Sequence, residues 1–179
     1  MKKKILCSFI MLFCAQMLSA QTLSIGPQAG FVKTANTDKA ILMPGGAIRL
    51  NFSEISIECA VYQKSETLNS GSINIKSYPI QFTGIVNMFP YINLEMGIGF
   101  YNTKIDYSQD VYTGVDSETS HKLAYLAGIG SQLEFGRLTF TLDVRYIFVD
   151  LDLNNISTPT TMNNDFFNVS AGVMYRISL

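Results

Sequence analysis

The stretch Leu138–Phe148, LTFTLDVRYIF, decides how the chain is read. Leu138, Phe140, Leu142, Val144, Tyr146 and Phe148 fall on one parity; Thr139, Thr141, Asp143 and Arg145 fall on the other. A period of two sends successive side chains to opposite faces of a β-strand, so this strand has one bulky apolar face and one polar face. Its length matches the ~9–11 residues with which a tilted strand crosses a bilayer.

The same pattern continues outward on both sides. Across Gly136, the run Lys122–Phe135 places Leu123, Tyr125, Ala127, Ile129, Leu133 and Phe135 on its apolar face. Toward the end, Phe167, Val169, Ala171, Val173, Tyr175, Ile177 and Leu179 oppose Asn168, Ser170, Gly172, Met174 and Arg176. Upstream, further runs start at Leu23, Leu42, Ile55, Ile73 and Ile92. In these, Ser24, Gly26 and Gln28, then Arg49 and Asn51, Ser56, Glu58 and Tyr62, Ser77, Gln81 and Thr83, and Asn93, Glu95 and Gly97 hold the polar parity. Together they predict eight strands.

The connections alternate in length. Ser53-Glu54, Asn87–Pro90 and Gly136 are read as tight turns, whereas Lys33–Ile41, Gln63–Ser72, Asn102–His121 and Asp150–Asp165 are long. Alternating short and long connections are those of an up-and-down barrel with periplasmic turns and outer loops. An even strand number then puts both termini in the periplasm.

Residues 1–20 read as a removable signal peptide: Lys2–Lys4 are basic, Ile5–Leu18 are apolar but short for a spanning helix, and Ser19-Ala20 offer small residues for cleavage before Gln21. Residues 21–179 form one domain. Losing three lysines takes the formal charge from −1 to about −4, which leaves no basic face for nucleic acid. Cys59 is then the sole cysteine, so no internal disulfide can form. The mature part has no second apolar run suited to a spanning helix, and a membrane segment without helices must close into a barrel.

Alternation alone also fits a soluble, ligand-holding barrel, in which the apolar face is inside. Three features favour the membrane form. The polar faces are rich in Gly, Ser, Thr and Asn, which suit a narrow lumen. Aromatic residues stand near both strand ends, with Phe52, Phe89 and Phe135 at one and Phe31, Phe100, Tyr125 and Phe148 at the other. The last strand ends on the last residue.

Two stretches carry a resemblance. Ser170–Leu179 resembles the C-terminal assembly signal of outer-membrane barrels, through Gly172, Tyr175, Ile177 and Leu179, although such proteins more often end in Phe. Ser77-Tyr78-Pro79-Ile80-Gln81, Pro90-Tyr91-Ile92-Asn93 and Gly97-Ile98-Gly99 resemble the PorT-like outer-membrane β-barrel family of Bacteroidetes. In size the chain also resembles the small OmpA- and OmpX-like barrels. The resemblance implies an integral outer-membrane barrel, handled by the barrel-assembly machinery through its last strand. In some relatives it implies a part in protein secretion.

Six charges fall on polar faces: Arg49, Glu58, Glu95, Asp143, Arg145 and Arg176. Isolated charges in a narrow lumen are costly, so they are expected to pair. Centring the second hairpin near Ser53 sets Arg49 opposite Glu58. Glu95 and Arg176 are expected in the same lower layer, with Asp143 and Arg145 a step higher. An ion path and a salt-bridged plug are both open readings. The plug is favoured because side chains fill an eight-stranded barrel.

Other candidates are weaker. His121, beside Ser120 and near Asp116, is the only histidine, but no G-x-S-x-G or H-E-x-x-H pattern accompanies it. Asp150 and Asp152, with Asp165, offer oxygens to a cation, yet solvated loop carboxylates look the same. Cys59 is read as a small lipid-facing residue. The expectation is therefore an all-β, eight-stranded antiparallel transmembrane barrel that is not an enzyme, needs no cofactor and is monomeric. Its partners are outer-membrane lipid and an extracellular or secretion-machine protein. Tyr107, Tyr112, Val115 and Thr158–Thr161 are its expected contact residues. The alternatives are a secretion accessory subunit and a barrel enzyme acting on envelope lipids or proteins through His121.

Overall fold

The computed structural model describes residues 22–34, 40–68, 73–107, 117–148, 150–153, 160–163 and 165–178. The proposed signal peptide, Leu179, Tyr112 and Val115 lie outside them. The strands are β1 (Thr22–Thr34), β2 (Ile41–Asn51), β3 (Ile55–Tyr62), β4 (Lys64–Leu68), β5 (Ile73–Phe89), β6 (Ile92–Tyr107), β7 (Glu118–Phe135), β8 (Leu138–Phe148), β9 (Asp150–Leu153), β10 (Thr160–Asn163) and β11 (Phe166–Ser178).

Eight of these close a ring. β1 pairs with β2, β2 with β3, β3 with β5, and so on through β6, β7, β8 and β11 back to β1, every pair antiparallel. Closure removes both sheet edges, which is what lets a sheet enter lipid. β4 continues the third wall along β5, and β9 and β10 pair with each other. Among the described residues no helix is long and apolar enough to cross a membrane.

Parity decides which side each residue faces. Phe31, Leu42, Phe82, Tyr125, Leu142 and Phe167 are about half exposed, while Ser24, Arg49, Glu58, Gln81, Glu95, Asp143 and Arg145 are buried. A soluble barrel has the reverse arrangement. A continuous apolar exterior of this extent is a surface for lipid, not water. Phe89, Tyr91 and Phe135 lie by the short turns, and Tyr125 stands directly across from Phe148 toward the other end, as aromatic girdles require.

The turns follow local chemistry. Gly136 takes a positive φ of 60°, which a residue with a Cβ adopts only at a cost, and so closes the β7–β8 hairpin. The β5–β6 turn falls on Pro90-Tyr91, later than the alternation suggests. β5 keeps pairing through Phe89, with a bulge between Asn87 and Phe89, until Pro90, which has no N–H to donate. The long connection after β6 is also shorter than expected. Asn102–Ile105 remain paired with Glu118–His121, so His121 belongs to β7 and not to a loop. Outside the apolar band polar residues stand on both faces of a strand, and the period-two contrast of the sequence fades while backbone pairing continues.

Candidate functional site

The lumen is crossed by one connected set of buried side chains. Arg49 on β2 and Glu58 on β3 stand opposite each other in register. Arg49 Nη2 and Nε donate to Glu58 Oε2 at 2.6 and 3.1 Å. Arg145 on β8 donates from Nη2 to Glu58 Oε1 at 2.8 Å and from Nε to Glu95 Oε2 at 2.6 Å. Asp143 Oδ2 lies 3.7 Å from Arg145 Nη2. Arg145 and Glu58 are fully buried.

Two of these contacts span the barrel. β3 and β8 are four places apart in the ring of eight, so the Arg145–Glu58 bond runs between opposite walls. β2 and β7 are likewise opposed, and Arg49 Nη1 donates to Gln132 Oε1 at 3.3 Å. The planar guanidinium suits this task because its several N–H groups reach different carboxylates at once.

Neutral residues complete the set, beyond the six charges expected to pair. Gln28 Nε2 donates to Glu58 Oε2 at 3.1 Å, and Tyr62 Oη donates to Gln28 Oε1 at 2.6 Å. Arg145 Nη1 donates to Gln81 Oε1 at 3.3 Å, and Gln81 Nε2 donates to Tyr101 Oη at 2.9 Å. Their signal was present: each sits on the same parity as the charges. Above and below, Val32, Met43, Ile85, Ile147 and Met174 are fully buried, so apolar side chains fill lumen that the small polar residues leave.

The layering expected from sequence needs two corrections. Asp143 and Arg145 do not form a separate higher layer, because the length of the Arg145 side chain carries its guanidinium to Glu58 and Glu95. Arg176 does not join the cluster. It pairs with Glu134 and donates to the Gly136 carbonyl at 2.8 Å, at the rim by the β7–β8 turn, where both side chains are partly exposed. Nearby, Asn51 Nδ2 donates to Thr22 Oγ1 and Ser24 Oγ at 3.1 and 2.9 Å, and Ser56 Oγ donates to Asn51 Oδ1 at 3.1 Å, which ties the start of the barrel together.

The remaining candidates are scattered. His121 Nδ1 lies 2.6 Å from Asn102 Oδ1 on the outer surface, away from the lumen network. Cys59 is a free, partly exposed thiol on the lipid-facing parity of β3. The side chains of Asp150, Asp152, Thr160 and Thr161 are outside the described set. Gly172, Tyr175 and Ile177 lie on β11, which closes the barrel against β1. Among the described residues no group of three His, Cys, Asp or Glu is placed to hold a metal.

A scan of protein-family profiles and a search of curated proteins return no match. Solved structures do match. Ail, the attachment invasion locus protein of Yersinia pestis, solved with the heparin analogue sucrose octasulfate, is 18% identical, with a TM-score of 0.56 over 87% of this chain and 97% of Ail. Neisserial surface protein A is 15% identical, with a TM-score of 0.55 over 88% of this chain and 96% of its own. The N-terminal β-barrel domain of Pseudomonas aeruginosa OprF is 10% identical, with a TM-score of 0.53 over 88% and 98%. At these identities the likeness concerns architecture: the chain has the fold of small outer-membrane β-barrels, with eight antiparallel strands closed around a filled lumen.

Proposed function

We propose that this chain is a non-enzymatic integral protein of a bacterial outer membrane that anchors in lipid and presents its long connections outside. Its termini are in the periplasm, and its lumen is closed to ions. The observation that carries the reading is the pair of cross-lumen bonds, Arg145 to Glu58 and Arg49 to Gln132, set within a broad apolar exterior band. A lumen bridged between opposite walls leaves the connections as the parts that can meet another molecule. A role beside a secretion machine would use the same exposed connections, and cross-linking from intact envelopes would reveal that partner.

Two measurements test the proposal. In planar bilayers the wild-type barrel is expected to show no steady conductance, and steady conductance would replace the plug with a channel. For orientation, Cys59→Ala removes the native thiol of the mature chain. Thr67→Cys is then expected to react with an impermeant maleimide on intact cells, and Ser53→Cys only after permeabilisation. The opposite pattern would invert the topology.

A further inference from the structure

We propose that Asp143 and Glu95 share one proton inside the lumen, with Asp143 as the neutral partner that donates to Glu95, and that this proton links the stability of the barrel to pH. The two residues stand on β8 and β6, on either side of β7, where Gly130 lies directly across from Asp143. A Cβ on Gly130 would meet Asp143 Oδ1 at 2.6 Å and Glu95 Oε1 closer still, so the glycine lets both side chains lean over β7 toward each other. Their carboxyl groups come within hydrogen-bonding contact. Both residues are buried, and neither Glu95 Oε1 nor either Asp143 oxygen has another donor among the described residues. Two ionised carboxylates are acceptors only, so a bond between them requires a proton on one.

Charge gives the same answer by a separate route. In one connected cluster the three carboxyls of Glu58, Glu95 and Asp143 are set against the two guanidiniums of Arg49 and Arg145. Ionised throughout, the cluster would hold one uncompensated negative charge away from water, and a buried carboxyl in that position takes up a proton instead. The hydrogen bonds show which one. Glu58 accepts four bonds and Glu95 accepts one from Arg145, whereas Arg145 Nη2 stands 3.7 Å from Asp143 and no wall donates to it. The residues in register beside Asp143, Gly130 of β7 and Ser170 of β11, are uncharged. Across the lumen it faces Arg49 of β2 and Glu58 and Tyr62 of β3; Gln28 of β1 and Gln81 of β5 are neutral. A buried water or a turned Asn93 amide would donate a hydrogen bond but leave the charge. One proton supplies the bond and brings the cluster to neutrality.

The folded barrel then holds a proton that the unfolded chain, with ordinary carboxyls, has released above about pH 5. Stability therefore falls as pH rises. From about pH 5 to the pH at which the pair lets go, this proton lowers the folded-to-unfolded ratio about tenfold per pH unit. The inference rests on the closed lumen proposed above, and the experiment separates the two. The mature chain, folded in detergent micelles, is unfolded with urea at a series of pH values from about 5 to 8, beside Asp143→Asn and Glu95→Gln, each of which removes the excess charge. The wild type is expected to lose stability with rising pH more steeply than either variant, by the tenfold per unit that one proton requires. Infrared absorption of the folded wild type at neutral pH is expected to show the C=O stretch of a protonated carboxyl, shifted in heavy water, and Asp143→Asn is expected to lack it. If Asp143→Asn does not fold, Glu95→Gln takes its place, and the wild-type band decides if neither folds. A wild type without that band would overturn the inference. Equal pH slopes in wild type and Asp143→Asn would place any proton elsewhere and also overturn it. Steady conductance by the wild-type barrel would instead overturn the closed lumen.

Discussion

Removing the Glu58 carboxylate tests the lumen network most searchingly, because four donated bonds end on it. Glu58 accepts from Gln28, from Arg49 twice and from Arg145. In Glu58→Ala, Arg145 keeps Glu95 at 2.6 Å, but Arg49 retains only Gln132 at 3.3 Å. One buried arginine is left without a carboxylate, which costs about 3–5 kcal/mol. Arg49→Ala is milder, since Glu58 still has Arg145 and Gln28; losing a hydrogen bond to a charged group costs about 1.5–3 kcal/mol. The double variant has no stranded arginine, so it is expected to cost about as much as Glu58→Ala alone. The shortfall from additivity is then about 2 kcal/mol, within the usual range for residues in contact. Urea unfolding of the vesicle-inserted barrel, followed by the difference in gel mobility between unheated and boiled samples, measures all three. Additivity to within about 0.5 kcal/mol would show that Arg49 and Glu58 act independently, and the network as described would be wrong.

Three further outcomes are expected. Arg145→Leu is expected to cost more than Glu58→Ala in the same assay, because it strands Glu95 beside Asp143; a smaller loss would remove Arg145 from the centre of the network. Arg176→Ala breaks a partly exposed rim pair and is expected to cost less than about 1 kcal/mol, so a loss comparable to that of Glu58→Ala would contradict its placement outside the cluster. Leu142→Arg puts a charge on the lipid face near the middle of β8 and is expected to cost about 2–4 kcal/mol in vesicles, whereas no loss would mean that this face does not meet the bilayer core.

Much of this was legible from alternation. The parity of LTFTLDVRYIF assigned Asp143 and Arg145 to the lumen, and the short turn at Ser53-Glu54 set Arg49 across from Glu58. What a single strand could not show is who meets whom across the barrel. That depends on strand tilt and stagger, and on how far a long side chain reaches. Parity and turn position alone therefore set Arg145 apart from Glu58 and put Arg176 among carboxylates that it does not touch. Gln28, Gln81 and Gln132 were on the right parity but carried no charge to draw attention. Strand ends were underestimated at Asn102–Tyr107 and Glu118–His121, where polar residues occupy both faces. The close approach of Asn93, Glu95 and Asp143 to Gly130 depends on a missing side chain, and only the assembled walls define it.

The central claim is that the apolar parity faces lipid. The chain contains no tryptophan, so a single introduced indole is an unambiguous probe. Leu142→Trp, on the outward face of β8, and Ser53→Trp, in the β2–β3 turn, are each folded into vesicles whose acyl chains carry bromine near the bilayer centre. Strong quenching of Leu142→Trp with little quenching of Ser53→Trp is the predicted result. Emission from Leu142→Trp that is unquenched, or quenched no more than that from Ser53→Trp, would contradict a transmembrane barrel.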